Sequence, residues 1–144
     1  MSDMTVTPDP ALCLGHYPHR YVTILRPSDG DASGHISNGK IAALGDDARV
    51  DLHDAILIDP APGHSLVMLE SRFRFYHELT YPAELMIGVG ITAIGNSSVR
   101  EVMGFFVEGR CEVVAHLVMV KVLDGRSVPL RPEEKLRAER FLVG

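Results

Sequence analysis

The sequence holds two cysteines, no apolar run approaching the roughly 20 residues that cross a bilayer, and no excess of positive charge. Each shortage excludes something. Cys13 and Cys111 lie far apart with no second pair beside them, so neither a disulfide framework nor a cysteine-bound zinc is expected, and both thiols read as buried or idle. Without a long apolar run, no membrane partner is expected. Met1 to Gly15 lacks both the basic start and the apolar core of a secretory signal, so the expected location is cytoplasmic. A formal charge of −5 gives no electrostatic basis for gripping a polyanion over a wide surface, so nucleic acid is not an expected partner. His16, His19, His53, His64, His77 and His116 show no ligand spacing, so neither a metal nor another cofactor is expected.

What is present points to one soluble domain. A chain of 144 residues is long enough to bury one substantial core, and 46% hydrophobic with 23% charged residues is the balance of an ordinary globular protein.

Residues 1 to 18, with Pro8, Pro10 and Pro18, read as an irregular arm, because proline removes backbone donors and biases its predecessor away from helix. The run HRYVTILR from His19 to Arg26 is rich in β-branched and aromatic side chains and reads as the first strand. SDGDASGHISNG is a loop, dense in residues that turn the chain. Beyond it Ile41, Leu44, Ala48, Leu52 and Ala55 recur at steps of three and four, which predicts one amphipathic helix from about Asn38 to about Ala55 with Ser37 as N-cap. The DPAPG segment, Asp59 to Gly63, stops it.

From about Ser65 to Leu123 the chain reads as four long strands joined by short polar links, hence antiparallel. In the second of these Gly88, Gly90 and Thr92 share one side, so something bulky must approach that face, and the helix is the expected occupant. RPEEKLRAERFL reads as a short charged helix, giving an arm over 1–18, a folded domain over 19–131 and a helical tail over 132–144. This is an α+β layout in which one helix covers one sheet face. Apolar residues on both sides of CEVVAHLVMVKVL favour a second layer from another subunit, so a homodimer or homotetramer is expected.

The loop before the helix carries the chemistry. Asp31 stands just ahead of a helix N-terminus, where orphan N–H groups and the helix dipole favour negative charge and can hold an oxyanion. A carboxylate beside such a site suits hydrolysis of an activated acyl group, as nucleophile or as base for water. By composition alone, Asp29, Asp31 and Asn38 equally suit turns and caps.

SDGDASGHISNGK resembles the S-D-x-D-x-x-G-H-x-x-N segment of the 4-hydroxybenzoyl-CoA thioesterase family, with Asp29, Asp31, Gly34, His35 and Asn38 all in register. The likeness continues through DDARVDL, ESRFRFYHELTYPAEL, GNSSV and VLDGRSVPLRPE, covering about His19 to Glu134. It implies a hot-dog fold, an antiparallel sheet of five to six strands wrapped around one long helix, with acyl-CoA sites at a subunit boundary. It further implies an acyl-CoA thioesterase in which Asp31 is the catalytic carboxylate, the N–H near Asn38 polarises the thioester oxygen and Asp29 is structural. His35 then serves as acid or donor to the carbonyl, or simply fixes the loop. Gly34, and Ser97 and Ser98 near the pantetheine and nucleotide, complete the substrate-binding set that the resemblance implies; Arg72 and Arg74 suit coenzyme A phosphates by their guanidinium forks, or are solvated surface charges. Arg100, Lys121 and Arg126 are further cations available for the phosphates.

Ile41, Ala43 and Leu44 stand where members of the family carry bulkier residues, which implies a slimmer helix and either a wider acyl pocket or repacking by Phe73, Phe75, Phe105 and Phe106. The competing readings are a hot-dog hydratase or dehydratase, whose D-x-N-P-x-H and H-F-P-x-x-P-x-x-P-G patterns do not occur here, and a non-catalytic acyl-CoA-binding protein.

Overall fold

The computed structural model describes residues 9–56 and 63–144. The start of the expected arm and the expected helix stop at Asp59 to Pro62 lie outside the described residues. Strand β1 (His19–Leu25) leads through a loop into α1 (Asn38–Ile56), followed by β2 (His64–Phe75), β3 (Ala83–Ile94), β4 (Ser98–Val107), β5 (Arg110–Leu123), a two-residue β6 (Arg126–Ser127) and α2 (Pro132–Glu139). The described part of the arm forms two short 3-10 turns, Pro10–Leu12 and Leu14–His16.

Helix α1 starts where its cap allows. The Ser37 hydroxyl accepts the Lys40 N–H at 3.2 Å, the bond an N-cap makes to a first-turn donor. Ile41, Leu44, Ala48 and Leu52 are buried as the three-and-four spacing predicts, but the face ends on Ile56, while Ala55, expected to share it, is exposed. The buried residues meet Leu85, Ile87, Val89 and Ile91 of β3, Met103 and Phe105 of β4, and Val113, Ala115 and Leu117 of β5 in one core. Complete burial of each larger aliphatic chain contributes about 1.5–3 kcal/mol. Gly45 is what lets α1 lie this close: a β-carbon there would fall 2.9 Å from Met103 Cε and 3.1 Å from Phe105 Cζ.

The sheet is antiparallel with order β1-β3-β4-β5-β2, and β6 pairs with β5. Two hairpins close on two residues with positive φ, Glu108-Gly109 and Asp124-Gly125, the pairing that type I′ turns require. Because β2 and β3 are separated by β4 and β5, the link from Tyr76 to Pro82 must traverse three inter-strand spacings, roughly 14 Å. That crossing passes the loop ahead of α1: Ile36 N–H donates to the Leu79 carbonyl at 2.8 Å and Tyr81 N–H to the Gly34 carbonyl at 3.2 Å.

The glycine face of β3 is not covered by α1. The helix packs on the opposite, Ile87/Val89/Ile91 side. A β-carbon on Gly88 would lie 2.5 Å from the Tyr17 ring, and one on Gly90 would lie 2.4 Å from Val143 Cγ1 and 2.9 Å from Pro18. Tyr17 is buried there, donating its hydroxyl to the Ala11 carbonyl at 2.6 Å and meeting Phe106 edge-on with ring centroids 5.9 Å apart. The tail completes this layer: Ile91 N–H donates to the Phe141 carbonyl at 2.7 Å, and Val143 N–H to the Ile91 carbonyl at 2.9 Å. Small residues thus receive the chain's own two ends, which supply part of the second layer that the sequence pattern assigns to another subunit.

Lys121 is buried and paired with buried Glu134 of α2 at 2.6 Å, so it docks the tail helix onto β5 and is not a solvated cation free for phosphate. Glu134 also accepts the Arg131 N–H at 2.8 Å. A second pair, His53 of α1 with buried Glu101 of β4, ties helix to sheet. Exposed apolar side chains gather on the edge strand β2, at Val67, Met68 and Leu69.

Candidate active site

Three donors converge on one oxygen of Asp31. Its Oδ1 accepts the Ser33 hydroxyl at 2.6 Å, the Ser33 N–H at 2.9 Å and the His35 N–H at 3.1 Å. This is the side-chain turn that aspartate makes with the residues just after it, closed by Gly34 N–H donating to the Asp31 carbonyl at 3.1 Å. Gly34 sits at φ +87, which glycine adopts without a steric penalty. The Ser33 hydroxyl first, and the His35 N–H next, hold the Asp31 carboxyl below the usual carboxylate range. The group is therefore ionised at neutral pH, with Oδ2 outside these three bonds.

The segment ahead of β3 clamps this turn. Asp31 N–H donates to the His35 carbonyl at 2.9 Å, and the Tyr81 hydroxyl donates to the Asp31 carbonyl at 3.0 Å. A β-carbon on Gly30 would fall 2.3 Å from Tyr81 Cε1, so the ring lies directly on the backbone there. Asp29 is structural, accepting the Arg26 N–H at 2.8 Å and pairing with Lys40 at 3.2 Å. The Arg26 N–H is the main reason its carboxyl is held low.

Asn38 opens α1. The Lys40 N–H is taken by Ser37 Oγ and that of Ile41 by the Ser37 carbonyl, whereas no hydrogen bond among the described residues takes up the N–H groups of Asn38 and Gly39. Unpaired N–H groups at a helix start carry the positive end of the helix dipole, which is where an oxyanion is stabilised. Beside them lies a cavity of about 390 Å³ with an apolar wall of Ile36, Ile41, Phe75 and Leu79 and a rim of His35, Asn38, His77 and Glu78. A larger cavity of about 460 Å³, bordered by Leu14, Met86 and Phe106, lies on the sheet face opposite α1.

Asp31, Gly34 and His35 thus share one turn, and His35 and Asn38 line one cavity. The remaining expected residues are not brought there within one chain. Arg72 and Arg74 stand on the face of β2 opposite α1, bordering a separate cavity of about 400 Å³ with Asp9, Tyr76 and His116. Burial, and then the Arg72 charge, push His116 below the usual histidine range. The Arg74 guanidinium lies 5.2 Å over the Tyr76 ring. Ser97 and Ser98 lie at the β3–β4 turn, where Lys121 N–H donates to the Ser97 carbonyl at 2.8 Å. They are a full strand of β3, roughly 35 Å at strand rise, from the Tyr81 clamp.

Three residues of the site were not singled out from sequence: Ser33, Glu78 and Tyr81. Ser33 had a local signal, since an aspartate two residues ahead of a serine is a common turn pairing. Glu78 and Tyr81 had none, because their role depends on the crossing from β2 to β3.

A family model for the thioesterase-like superfamily matches residues 25–138. No curated protein matches the chain. Among solved structures, a Pseudomonas aeruginosa protein superposes with TM-score 0.79 at 22% identity, covering 90% of this chain and 94% of that one. A Thermus thermophilus thioesterase complexed with coenzyme A and zinc gives TM-score 0.78 at 23% identity over 88% and 95% of the two chains. A Staphylococcus aureus protein in complex with coenzyme A gives 0.77 at 12% identity over 85% and 82%. These likenesses establish the hot-dog fold.

Proposed function

The chain belongs to the thioesterase-like superfamily, and from that premise we propose that it hydrolyses an acyl-coenzyme A thioester to free acid and coenzyme A. The observation that carries the reading is an ionised Asp31 carboxylate, fixed through Oδ1 by a turn whose last member, His35, lines the same cavity as Asn38 at the start of α1. The acyl group occupies the cavity of about 390 Å³, and its carbonyl oxygen meets the Asn38 N–H. As base, Asp31 takes a proton from water while the water oxygen attacks the carbonyl carbon, and collapse of the tetrahedral intermediate breaks the C–S bond and releases the coenzyme A thiolate. As nucleophile, the carboxylate attacks directly, and the mixed anhydride that results is cleaved by water.

The active form is a homo-oligomer. Supporting this are the exposed Val67, Met68 and Leu69 of the edge strand β2, and the separation of Arg72, Arg74, Ser97 and Ser98 from Asp31 within one chain. A second copy is the means by which phosphate and pantetheine contacts reach the thioester. Coenzyme A suits this chain better than an acyl carrier protein. At −5 the chain has no concentrated basic patch for an acidic partner, whereas two or three guanidinium groups hold a nucleotide's phosphates.

Thiol release from a panel of acyl-CoAs, with matched acyl carrier proteins at physiological salt, tests this reading. Turnover with higher kcat/KM on coenzyme A is expected. A tenfold preference for the carrier protein, or no thiol release from any member, overturns it. Single-turnover hydrolysis in ¹⁸O-water identifies a nucleophile when the label enters Asp31, which requires water to attack the aspartyl carbon of the mixed anhydride, and trapping of the anhydride with hydroxylamine covers attack at the acyl carbon.

A further inference from the structure

The His35 ring stands between two oxygens. Ionised Asp31 is an acceptor only, so the 2.6 Å contact between Ser33 Oγ and Asp31 Oδ1 uses the single hydroxyl hydrogen of Ser33. The same Ser33 oxygen lies 3.2 Å from His35 Nδ1. On the other side of the ring, His35 Nε2 is 3.0 Å from Oε2 of Glu78.

We propose that Glu78 is a positioning residue for thioester hydrolysis: with Ser33 it fixes the His35 ring in a hydrogen-bonded chain that ends on Asp31. The inference rests on the hydrolytic reading of Asp31. Glu78 and His35 are both largely exposed, so their ion pair alone is a weak restraint. The backbone supplies what the pair lacks. Ile36 N–H to Leu79 and Tyr81 N–H to Gly34 stitch the two segments together on either side of the pair, so Glu78 is delivered to the ring by the crossing between β2 and β3.

Through this chain His35 acts by way of Ser33: the hydroxyl it steadies is held on Asp31 Oδ1, which leaves Oδ2 for the reacting partner. Tyr76 and His77 share the pocket lining with His35, and Asp29 is committed to Arg26 and Lys40.

¹⁵N spectra of histidine-labelled protein at neutral pH, with steady-state kinetics on an accepted acyl-CoA, test the assignment. The expected result is a His35 ring whose ¹⁵N resonances move in Glu78→Ala, which leaves no side-chain acceptor at Nε2. That variant is expected to lose kcat by about fivefold, the scale of an exposed ion pair, with KM unchanged. Unmoved His35 resonances, or Glu78→Ala with parental kcat, overturn the proposal. If Asp31→Asn turns over like the parent while the His35 resonances still move in Glu78→Ala, the hydrolytic reading falls and the assignment of Glu78 to His35 holds.

Discussion

Tyr81 donates its hydroxyl to the backbone carbonyl of Asp31 at 3.0 Å, joining the start of β3 to the turn that presents the carboxylate. Asp31 is therefore positioned from two directions, by its own turn and by the β2–β3 crossing. Tyr81→Phe keeps the ring on Gly30 but removes one hydrogen bond, a loss of about 0.5–1.5 kcal/mol. The expected outcome is an unchanged fold by circular dichroism and a few-fold lower kcat. An unchanged kcat would show that the turn alone fixes Asp31.

The pH dependence of turnover follows from the Asp31 donors. In the proposed hydrolysis the working form is the anion, and hydrogen bonds to the anion lower its pKa, so activity should extend below the pH at which an ordinary aspartate protonates. Ser33→Ala removes the largest of these causes and should move the acid limb of kcat/KM to higher pH. Profiles of parent and variant between pH 4 and 8, at about room temperature and with folding checked at each point, decide it; coincident acid limbs would contradict the assignment.

Close packing of α1 on the sheet rests on Gly45. Met103 Cε and Phe105 Cζ stand only 2.9 and 3.1 Å from where a β-carbon would project, so Gly45→Leu should overpack the core and cost about 1–3 kcal/mol. Urea melts of parent and variant measure this, and equal midpoints would mean that the two side chains yield more readily than their burial implies.

The Lys121–Glu134 pair anchors α2. Lys121→Met leaves the Glu134 carboxylate buried without its ammonium partner, and a loss near the lower end of about 3–5 kcal/mol is expected, because the Arg131 N–H and guanidinium still face it. Adding Glu134→Leu should recover part of it. A single variant with parental stability would contradict the pairing.

The elements that local pattern dictates were legible in the sequence: α1 through its three-and-four spacing, the four long strands, and the turn around Asp31. The occupant of the Gly88/Gly90 face was not. Missing side chains announce a close approach without naming what approaches, and Tyr17 and Val143 come from segments with no periodicity. Lys121 read as a solvated surface charge or one available to phosphate because alternation in VMVKVL says only which face it shares, and its partner Glu134 lies in another element. Glu78 and Tyr81 escaped notice for the same reason, since the topology, and no local spacing, carries them to the Asp31 turn.

The most direct measurement is thioester turnover by Asp31→Asn, which keeps the side chain's size while removing its charge. A fold unchanged by circular dichroism and a kcat/KM lowered by at least about a hundredfold on the best acyl-CoA are expected, as for loss of a nucleophile or general base. Hydrolysis within a few-fold of the parent would contradict the role given to Asp31.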